Sequence, residues 1–257
     1  MPGRFVDRVA IITGGAGGLG LAIAGALGDE GASVALWDTN VEAIEHGVAK
    51  LTAAGLRATG FTADVRSRAS VDEAVAGTVQ ALGAPTVLIA AAGGSLGTPR
   101  DLEDISEADL DLVIDVNVKG TYHCAAAVVP HIRAVGGGSI VTFSSIGGRS
   151  TSPVTGIPYA AAKAGILGLT RRLAREVGPD GIRVNAIAPG LFLTGRLQGM
   201  FDAMSEHERN EVLNSIPLHR LPDVSECVAP VLFLAGPESS YITGAVLDVN
   251  GGRFMSG

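Results

Sequence analysis

Short apolar runs rich in β-branched residues alternate along this chain with longer stretches of helical periodicity. The runs predict strands at Val9–Thr13, Val34–Trp37, Thr86–Ala90, Ser139–Phe143 and Ile182–Ile187. The helical stretches lie near residues 18–30, 41–54, 68–82, 108–134 and 160–177. Alternation of this kind requires crossover connections and favours a parallel sheet. Because the runs are almost continuously apolar, we expect helices on both faces, in a doubly wound α/β sheet.

The chain has no internal repeat, linker composition or low-complexity block, so we expect a single domain over residues 1–257. Only residues 191–221 interrupt the alternation of strands and helices. This segment follows a predicted strand and contains a polar, helix-like stretch at Ser205–Asn214. Loops at the carboxyl ends of parallel strands form the ligand crevice, so we expect the segment to be a lid over a site. A surface helix pair is the alternative.

The chain is acidic, with a formal net charge of −7. Nucleic acids and anionic membranes bind basic surfaces, so neither is expected as the main partner. The longest apolar stretches are shorter than the ~18 residues that cross a bilayer, and the first residues lack a signal-peptide pattern. We therefore expect a cytoplasmic protein that acts on a small molecule.

Neither the cysteines nor the histidines have the spacing of a metal site. Cys124 and Cys227 lie in apolar contexts, which favours buried free thiols over a disulfide. The 5 histidines are scattered, and His207 is the one whose position, inside the proposed lid, suits a role near a substrate. We therefore expect no metal.

The first predicted strand runs directly into a glycine-rich turn, and a helical stretch begins at Leu19. Two overlapping dinucleotide-binding patterns fit this turn: Gly15-x-Gly17-x-x-Gly20 and Gly14-x-x-x-Gly18-x-Gly20. Glycine lets backbone N–H groups and the helix N-terminus approach a pyrophosphate without a Cβ in the way. A purely structural turn is the alternative interpretation.

The second predicted strand ends at Asp38, where a carboxylate would meet the adenosine ribose of a dinucleotide. A carboxylate there accepts hydrogen bonds from the ribose hydroxyls and repels a 2′-phosphate. Neither Thr39, Asn40 nor Gly17 offers a compensating positive charge. The sequence therefore predicts NAD rather than NADP. The other role for Asp38 is to cap a helix that starts near Val41, and the two roles are compatible.

Tyr159 and Lys163 are spaced so that they share one helix face, and Pro158 suits the start of that helix. A tyrosine is a poor acid or base near neutral pH unless a nearby cation stabilises its phenolate. Lys163 could supply that cation. The chain has only two other lysines, Lys50 and Lys119, which singles out a lysine here. A solvent-exposed pair is the alternative.

The ordered set of motifs resembles the short-chain dehydrogenase/reductase family, in its single-domain branch of about this length. The set comprises Thr13-Gly14-x-x-x-Gly18-x-Gly20, Asp64, Asn117, Ser145, Tyr159-x-x-x-Lys163 and Pro189-Gly190. The resemblance extends to Tyr241–Gly244 and Asn250–Gly252, and so covers nearly the whole chain. It implies a Rossmann-type sheet and a homotetramer.

The resemblance also implies catalytic roles. Tyr159 would be the general acid/base, and Lys163 would bind the nicotinamide ribose and lower the pKa of the tyrosine. Ser145 would hold the substrate oxygen near Tyr159. Asn117 would hold a water that links Lys163 to solvent.

The implied cofactor site spans the chain from the glycine turn to the segment after the last long strand. Asp64 resembles the family's adenine contact and Thr194 its nicotinamide contact, with turn-stabilising roles as the alternative for both. The full set is Gly14, Gly18, Leu19, Gly20, Asp38, Asp64, Val65, Gly93, Tyr159, Lys163, Pro189 and Thr194.

Two positions depart from the family pattern. Ala90-Ala91-Ala92-Gly93 stands where the family commonly has Asn-Asn-Ala-Gly, so side-chain hydrogen bonds near the cofactor are lost. The spacing from Ser145 to Tyr159 is one residue longer than in the family, which makes Ser144 the alternative for the serine role.

These observations predict an NAD-dependent oxidoreductase that interconverts a secondary alcohol and its ketone. The alternatives are a non-catalytic dinucleotide-binding regulator and an NAD-using lyase or epimerase on the same fold. The pocket is expected near residues 94–96, 146–158 and 191–204, which are mostly apolar. A neutral or weakly polar substrate is therefore favoured over a phosphorylated one.

Overall fold

The computed structural model describes residues 3–151 and 155–255. In this part of the chain, one sheet of seven parallel strands has the order β3-β2-β1-β4-β5-β6-β7. The strands are β1 (Val9–Thr13), β2 (Ser33–Asp38), β3 (Ala58–Thr62), β4 (Val87–Ala90), β5 (Gly138–Phe143), β6 (Ile182–Pro189) and β7 (Val246–Val249). This is the predicted doubly wound, Rossmann-type α/β fold, in one domain.

Helices cover both faces of the sheet. They are α1 (Gly18–Asp29), α2 (Val41–Ala53), α3 (Arg68–Leu82), α4 (Glu107–Ile114), α5 (Gly120–Ala134), α6 (Ile157–Val177), α7 (Arg196–Asp202), α8 (Glu206–Asn214) and α9 (Ser225–Ala235). Particular side chains determine where some of these helices begin. Asn40 caps α2 by accepting a hydrogen bond from the Ala43 N–H at 3.0 Å, and Pro158 lies in the first turn of α6.

The apolar core consists of two clusters, one on each face of the sheet. One cluster joins β1 and β2 to α1 and α9, and includes Ile12, Leu27 and Val231. The other joins the sheet to α3 and α5, and includes Trp37 and Val128. Burial of each large aliphatic side chain contributes roughly 1.5–3 kcal/mol, so the core holds the sheet rigid beneath its carboxyl edge.

The five predicted strands are present, but the sequence did not reveal β3 and β7. These two strands lie at the edges of the sheet, and none of their residues is fully buried. An edge strand has a neighbour on one side only, so its sequence does not need the continuous apolar run that marks an inner strand.

The helical stretch predicted near residues 108–134 is present, but it is not one regular α-helix. α4 ends at Ile114, a π-helical turn covers Asp115–Lys119, and α5 follows directly from Gly120. The apolar periodicity continues through the turn, so the pattern did not reveal it. π-helical turns inside helices occur frequently at functional sites, and this one contains the predicted site residue Asn117.

The segment predicted as a lid contains α7 and α8. Ser205 and Glu208 form a capping box at the start of α8, and none of the residues of α8 is fully buried. Both interpretations of the segment therefore remain compatible with the structure, and the lid stays a prediction. None of the described helices combines the length and the apolar composition that a membrane span requires.

The strand order reverses between β1 and β4, which lie side by side and lead to loops that diverge over opposite halves of the sheet. A crevice forms at such a point, at the carboxyl ends of the strands. β1 ends at Thr13 and β4 at Ala90. The glycine turn and the alanine run therefore meet at the position where a dinucleotide binds in folds of this type.

Candidate active site

The glycine turn between β1 and α1 is shaped for close approach of a phosphate. Gly14 and Gly18 have φ angles of 63° and 52°, in the left-handed region that glycine readily adopts. A Cβ on Gly20 would overlap the carbonyl oxygen of Gly14. Gly17 precedes α1 without a side-chain cap, so the N–H groups of the first helical turn remain available to an anion. The turn fits the pyrophosphate of a dinucleotide.

Asp38 ends β2 beside this turn. One carboxylate oxygen accepts hydrogen bonds from the N–H groups of Thr39 and Asn40, at 2.8 and 3.2 Å. The other lies 3.3 Å from the N–H of Ala16 in the glycine turn. The cap of α2 is Asn40 and not Asp38. The carboxylate of Asp38 is therefore held beside the glycine turn, where the ribose of a dinucleotide would lie.

A cleft of about 320 Å³ continues from Asp38 along the sheet edge, past Asp64 and Val65. Its wall also contains Arg66, which the sequence reasoning missed. The guanidinium of Arg66 contacts both carboxylate oxygens of Asp64, with its closest nitrogen 2.6 Å away. This interaction holds the pKa of the Asp64 carboxyl below its usual value. The lining of this cleft thus contains one basic group, Arg66, which is already paired with Asp64.

A second cleft, of about 200 Å³, shares Gly93 with the first and contains most of the predicted reactive residues. The predicted residues on its wall are Leu19, Gly93, Ser145, Tyr159, Lys163, Pro189 and Thr194. Thr194 lies close to the glycine turn, because a Cβ on Gly18 would come within 3.5 Å of its hydroxyl oxygen. The structure therefore brings the glycine turn, Asp38 and the reactive side chains into one continuous groove.

Tyr159 lies half-buried on the wall of the second cleft, in the first turn of α6. Burial disfavours the phenolate and raises the pKa of the Tyr159 phenol, while a hydrogen bond with Ser145 acts in the opposite direction. The two side chains line the same cleft. A substrate oxygen bound in the cleft could contact both.

Lys163 is 4% exposed and lies one turn further along α6. Its ammonium donates a hydrogen bond to the Phe143 carbonyl at 2.8 Å and lies 5.5 Å from the centre of the Tyr159 ring. Burial lowers the pKa of Lys163 to about 7. The pKa of Tyr159 is raised in this structure, not lowered as expected, because burial dominates and Lys163 faces Phe143.

Adjacent serines at the end of β5 have different environments. The Ser144 hydroxyl donates a hydrogen bond to the Lys163 carbonyl at 2.7 Å, which ties it to the backbone of α6. Ser145 accepts a hydrogen bond from the Gly147 N–H at 3.1 Å and contacts Tyr159. The geometry therefore favours Ser145, rather than the alternative Ser144, as the residue that meets a substrate oxygen.

Asn117 is fully buried behind the second cleft. Its side chain exchanges two hydrogen bonds, both of 3.0 Å, with the backbone of Gly94, and a Cβ on Gly93 would overlap its amide oxygen. On the other side of the loop, the hydroxyl of Thr13 accepts a hydrogen bond from the Ala92 N–H at 3.0 Å. These contacts brace the loop after the alanine run. The role of Asn117 in holding a water stays a prediction.

Comparison with known proteins agrees with this site. A family model described as enoyl-(acyl carrier protein) reductase matches residues 14–253. The (2S)-[(R)-hydroxy(phenyl)methyl]succinyl-CoA dehydrogenase subunit BbsD of Thauera aromatica is 38% identical over 252 residues, with 97% of each chain covered. A 3-oxoacyl-[acyl-carrier-protein] reductase of Chlamydia muridarum is 39% identical, covering 98% of this chain and 99% of its own.

A solved structure has the same fold. It is a crystal structure assigned as a short-chain alcohol dehydrogenase from Sinorhizobium meliloti 1021, 34% identical, with a TM-score of 0.90 and 96% of each chain covered. The family model, the relatives and the fold thus agree with the motifs and with the groove that they form. The chain belongs to the short-chain dehydrogenase/reductase family, whose members are oxidoreductases that bind a nicotinamide dinucleotide.

Proposed function

We propose that this protein is an NAD-dependent oxidoreductase that interconverts a secondary alcohol and its ketone. The observation that carries the proposal is that Tyr159 and Ser145 line one cleft beside the buried Lys163. This pair lies in a cleft that continues into the groove of the glycine turn and Asp38. A protein that only binds a dinucleotide has no need of such an acid/base pair.

In this proposal, Tyr159 exchanges a proton with the substrate oxygen. During reduction the phenol donates its proton to the carbonyl oxygen, and during oxidation the phenolate removes the proton of the hydroxyl group. Ser145 donates a hydrogen bond to the same oxygen and stabilises the charge that develops there. The nicotinamide of a bound cofactor supplies or accepts the hydride.

Lys163 supports Tyr159 through its position. Its ammonium is buried beside the Tyr159 ring and has one described acceptor, the Phe143 carbonyl. An ammonium can donate three hydrogen bonds, so donors remain for the hydroxyl groups of a ribose. Asn117 and Thr13 hold the loop that carries Gly93 against this region.

The preference for NAD rests on Asp38. Its carboxylate lies beside the glycine turn, where it would accept hydrogen bonds from a free ribose and repel a 2′-phosphate. Arg66 lies on the wall of the same cleft, but its guanidinium is paired with Asp64. The charge nearest the ribose is therefore negative.

The walls of the reactive cleft favour a neutral or weakly polar substrate. Apart from Tyr159 and Lys163, the residues that line it are small, apolar or hydroxyl-bearing. An anionic group at the reactive carbon would lose its hydration without gaining a free cation, which is costly.

By its family resemblance, we further propose a homotetramer, which light scattering of the purified protein would test.

A spectrophotometric assay at 340 nm tests the proposal. The purified protein is mixed with NAD or NADP and a panel of secondary alcohols, including cyclic alcohols and a 3-hydroxyacyl thioester, and with NADH and the matching ketones. We expect turnover with NAD that Tyr159→Phe lowers by a factor of about 10²–10⁴. Tight NADH binding without turnover on any substrate, in both directions, would favour the dinucleotide-binding regulator instead.

A further inference from the structure

The turn that follows Ser145 is packed against the helix that carries the other reactive residues. Ser145 begins a short 3₁₀ turn, Ile146–Gly148, and its carbonyl accepts a hydrogen bond from the Gly148 N–H at 3.0 Å. A Cβ on Gly148 would come within 2.5 Å of the Lys163 carbonyl carbon. A movement of this turn therefore changes the position of Ser145 relative to α6.

Arg149 ends this turn and attaches it to β7, the last strand of the sheet. Its Nε lies 3.3 Å from the Oδ1 of Asp248 in β7, and both side chains are less than one-fifth exposed. The same guanidinium lies 5.1 Å from the centre of the Phe254 ring. The carboxylate oxygen of Asp248 that faces Arg149 has no hydrogen-bond donor among the described residues, so Arg149 is its charge partner.

Phe254 belongs to a C-terminal turn, Asn250–Phe254, that is internally braced. The Asn250 side chain accepts hydrogen bonds from the N–H groups of Gly252 and Phe254, and donates one of 3.1 Å to the Phe254 carbonyl. The Leu218 N–H at the base of the predicted lid donates to the Gly251 carbonyl at 3.2 Å. The C-terminal turn thus contacts both the Ser145 turn and the lid base.

We propose that Arg149 is a positioning residue for Ser145, and that Asp248 and Phe254 of the C-terminal strand and turn hold it in place. The geometry forms one path from β7 and the C-terminal turn, through the guanidinium, to the serine that meets the substrate oxygen. Neither Asp248 nor Phe254 lines the reactive cleft, so the path acts on Ser145 from outside it. The inference rests on the proposed function.

The test is a double-mutant cycle between Arg149→Met and Ser145→Ala, measured as kcat for alcohol oxidation. Misplacing a catalytic group by about 1 Å can cost up to ~100-fold in rate, so we expect Arg149→Met to lower kcat roughly ten- to a hundred-fold. The Kd for NADH should be unchanged. In the Ser145→Ala background, Arg149→Met should cause no further loss, because its effect passes through Ser145.

If the losses in kcat of the two single variants multiply in the double variant, the inference is overturned. It is also overturned if Arg149→Met weakens NADH binding by the same factor as it lowers kcat. Phe254→Leu leaves the ion pair intact and should give a smaller loss of the same kind, even if Arg149→Met fails to fold. Arg149→Lys should recover part of the rate. Arg133→Met removes a surface ion pair with Asp180 and is the matched control, expected to leave kcat unchanged.

A second readout does not depend on turnover. The hydrogen bond with Ser145 lowers the pKa of Tyr159, so Arg149→Met should raise that pKa in the same direction as Ser145→Ala. Tyrosine NMR titration measures it, with Tyr159→Phe to assign the signal. An unchanged Tyr159 titration would contradict the positioning role. Absence of turnover in the wild-type protein, with the titration shifted as expected, would contradict only the proposed function.

Discussion

Burial acts on Tyr159 and Lys163 through the same physical effect with opposite consequences for their pKa values. It disfavours the phenolate of Tyr159 and the ammonium of Lys163, so the tyrosine pKa rises and the lysine pKa falls to about 7. Burial therefore shifts both groups toward their neutral forms, and Lys163 remains an ammonium below about pH 7. A tyrosine that keeps its proton is ready to donate it to a carbonyl oxygen.

The stability of the protein should report the burial of Lys163. A lysine with a folded pKa of about 7 and a usual value of 10.5 penalises folding fully below pH 7. The penalty decreases as the pH rises from about 7 to 10.5, and it is gone once the unfolded chain has also lost the proton. Relative to Lys163→Met, the wild-type protein without cofactor should gain stability from pH 7 to pH 10. Urea unfolding of both proteins measures this, and a constant difference would contradict it.

Asp38 should decide between the two dinucleotides. We expect Asp38→Ser to lower the ratio of kcat/KM with NAD to kcat/KM with NADP at least about tenfold, equivalent to ~1.4 kcal/mol. The change removes the charge that repels a 2′-phosphate and leaves Arg66 in the same cleft. Asp72→Ser, which removes an exposed carboxylate paired with Arg68, is the control. A higher activity of the wild-type protein with NADP than with NAD would refute the role of Asp38.

The sequence motifs predicted which side chains meet in the cleft better than they predicted the contacts that those side chains make. Tyr159 and Lys163 could be placed by motif, whereas Arg66 could not, because it reaches the first cleft through the packing of β3 and the loop after it. The choice between Ser144 and Ser145 also needed the structure. It depends on which hydroxyl is already bonded to the backbone of α6.

At the level of elements, the glycine turn and α1 form the most constrained part of the groove. A Cβ at Gly20 would overlap backbone that has no room to move, so Gly20→Ala should cost roughly 1–3 kcal/mol of stability. It should also weaken NADH binding. Gly25→Ala, in the same helix, has only an ordinary contact at 3.6 Å and should keep or raise the Tm. Fluorescence titration with NADH and thermal unfolding measure the Kd and the Tm of both variants. Equal Kd and Tm values for Gly20→Ala and Gly25→Ala would contradict this prediction.

The segment with α7 and α8 gives a test of the lid. None of the residues of α8 is fully buried, so a lid built from it could open at low energetic cost. We expect trypsin to cleave after Arg209 more slowly when NADH and a substrate analogue saturate the protein. Mass spectrometry of the fragment that ends at Arg209 measures this rate. The same rate with and without ligands would favour the surface helix pair.

The sequence did not predict β3, β7 or the π-helical turn, and the reason is the same for all three. Their environment or geometry differs from that of an average strand or helix. β3 and β7 are edge strands with half-buried residues. The π-helical turn at Asp115–Lys119 shifts the register of the helix without a break in its apolar pattern. Composition and periodicity describe buried, regular elements well and say little about such exceptions.

At the level of the whole molecule, the alternation of strands and helices was sufficient to predict the fold and the edge of the sheet at which the clefts lie. The crevice lies where the strand order reverses, and it requires only that β1 and β4 be neighbours. The substrate depends on loops whose conformation the sequence pattern does not determine, above all the turn after Ser145 and the segment after β6. The C-terminal turn joins these two loops, which explains why the end of the chain also bears on the site.

The most direct test of the central claim follows the hydrogen itself. A secondary alcohol that the protein oxidises is labelled with deuterium at the reacting carbon, and the reduced cofactor is analysed by mass spectrometry with wild-type protein and with Tyr159→Phe. The account predicts one deuterium in each NADH formed, at a rate that Tyr159→Phe lowers about 10²–10⁴-fold. NADH without deuterium, or an unchanged rate in Tyr159→Phe, would contradict it.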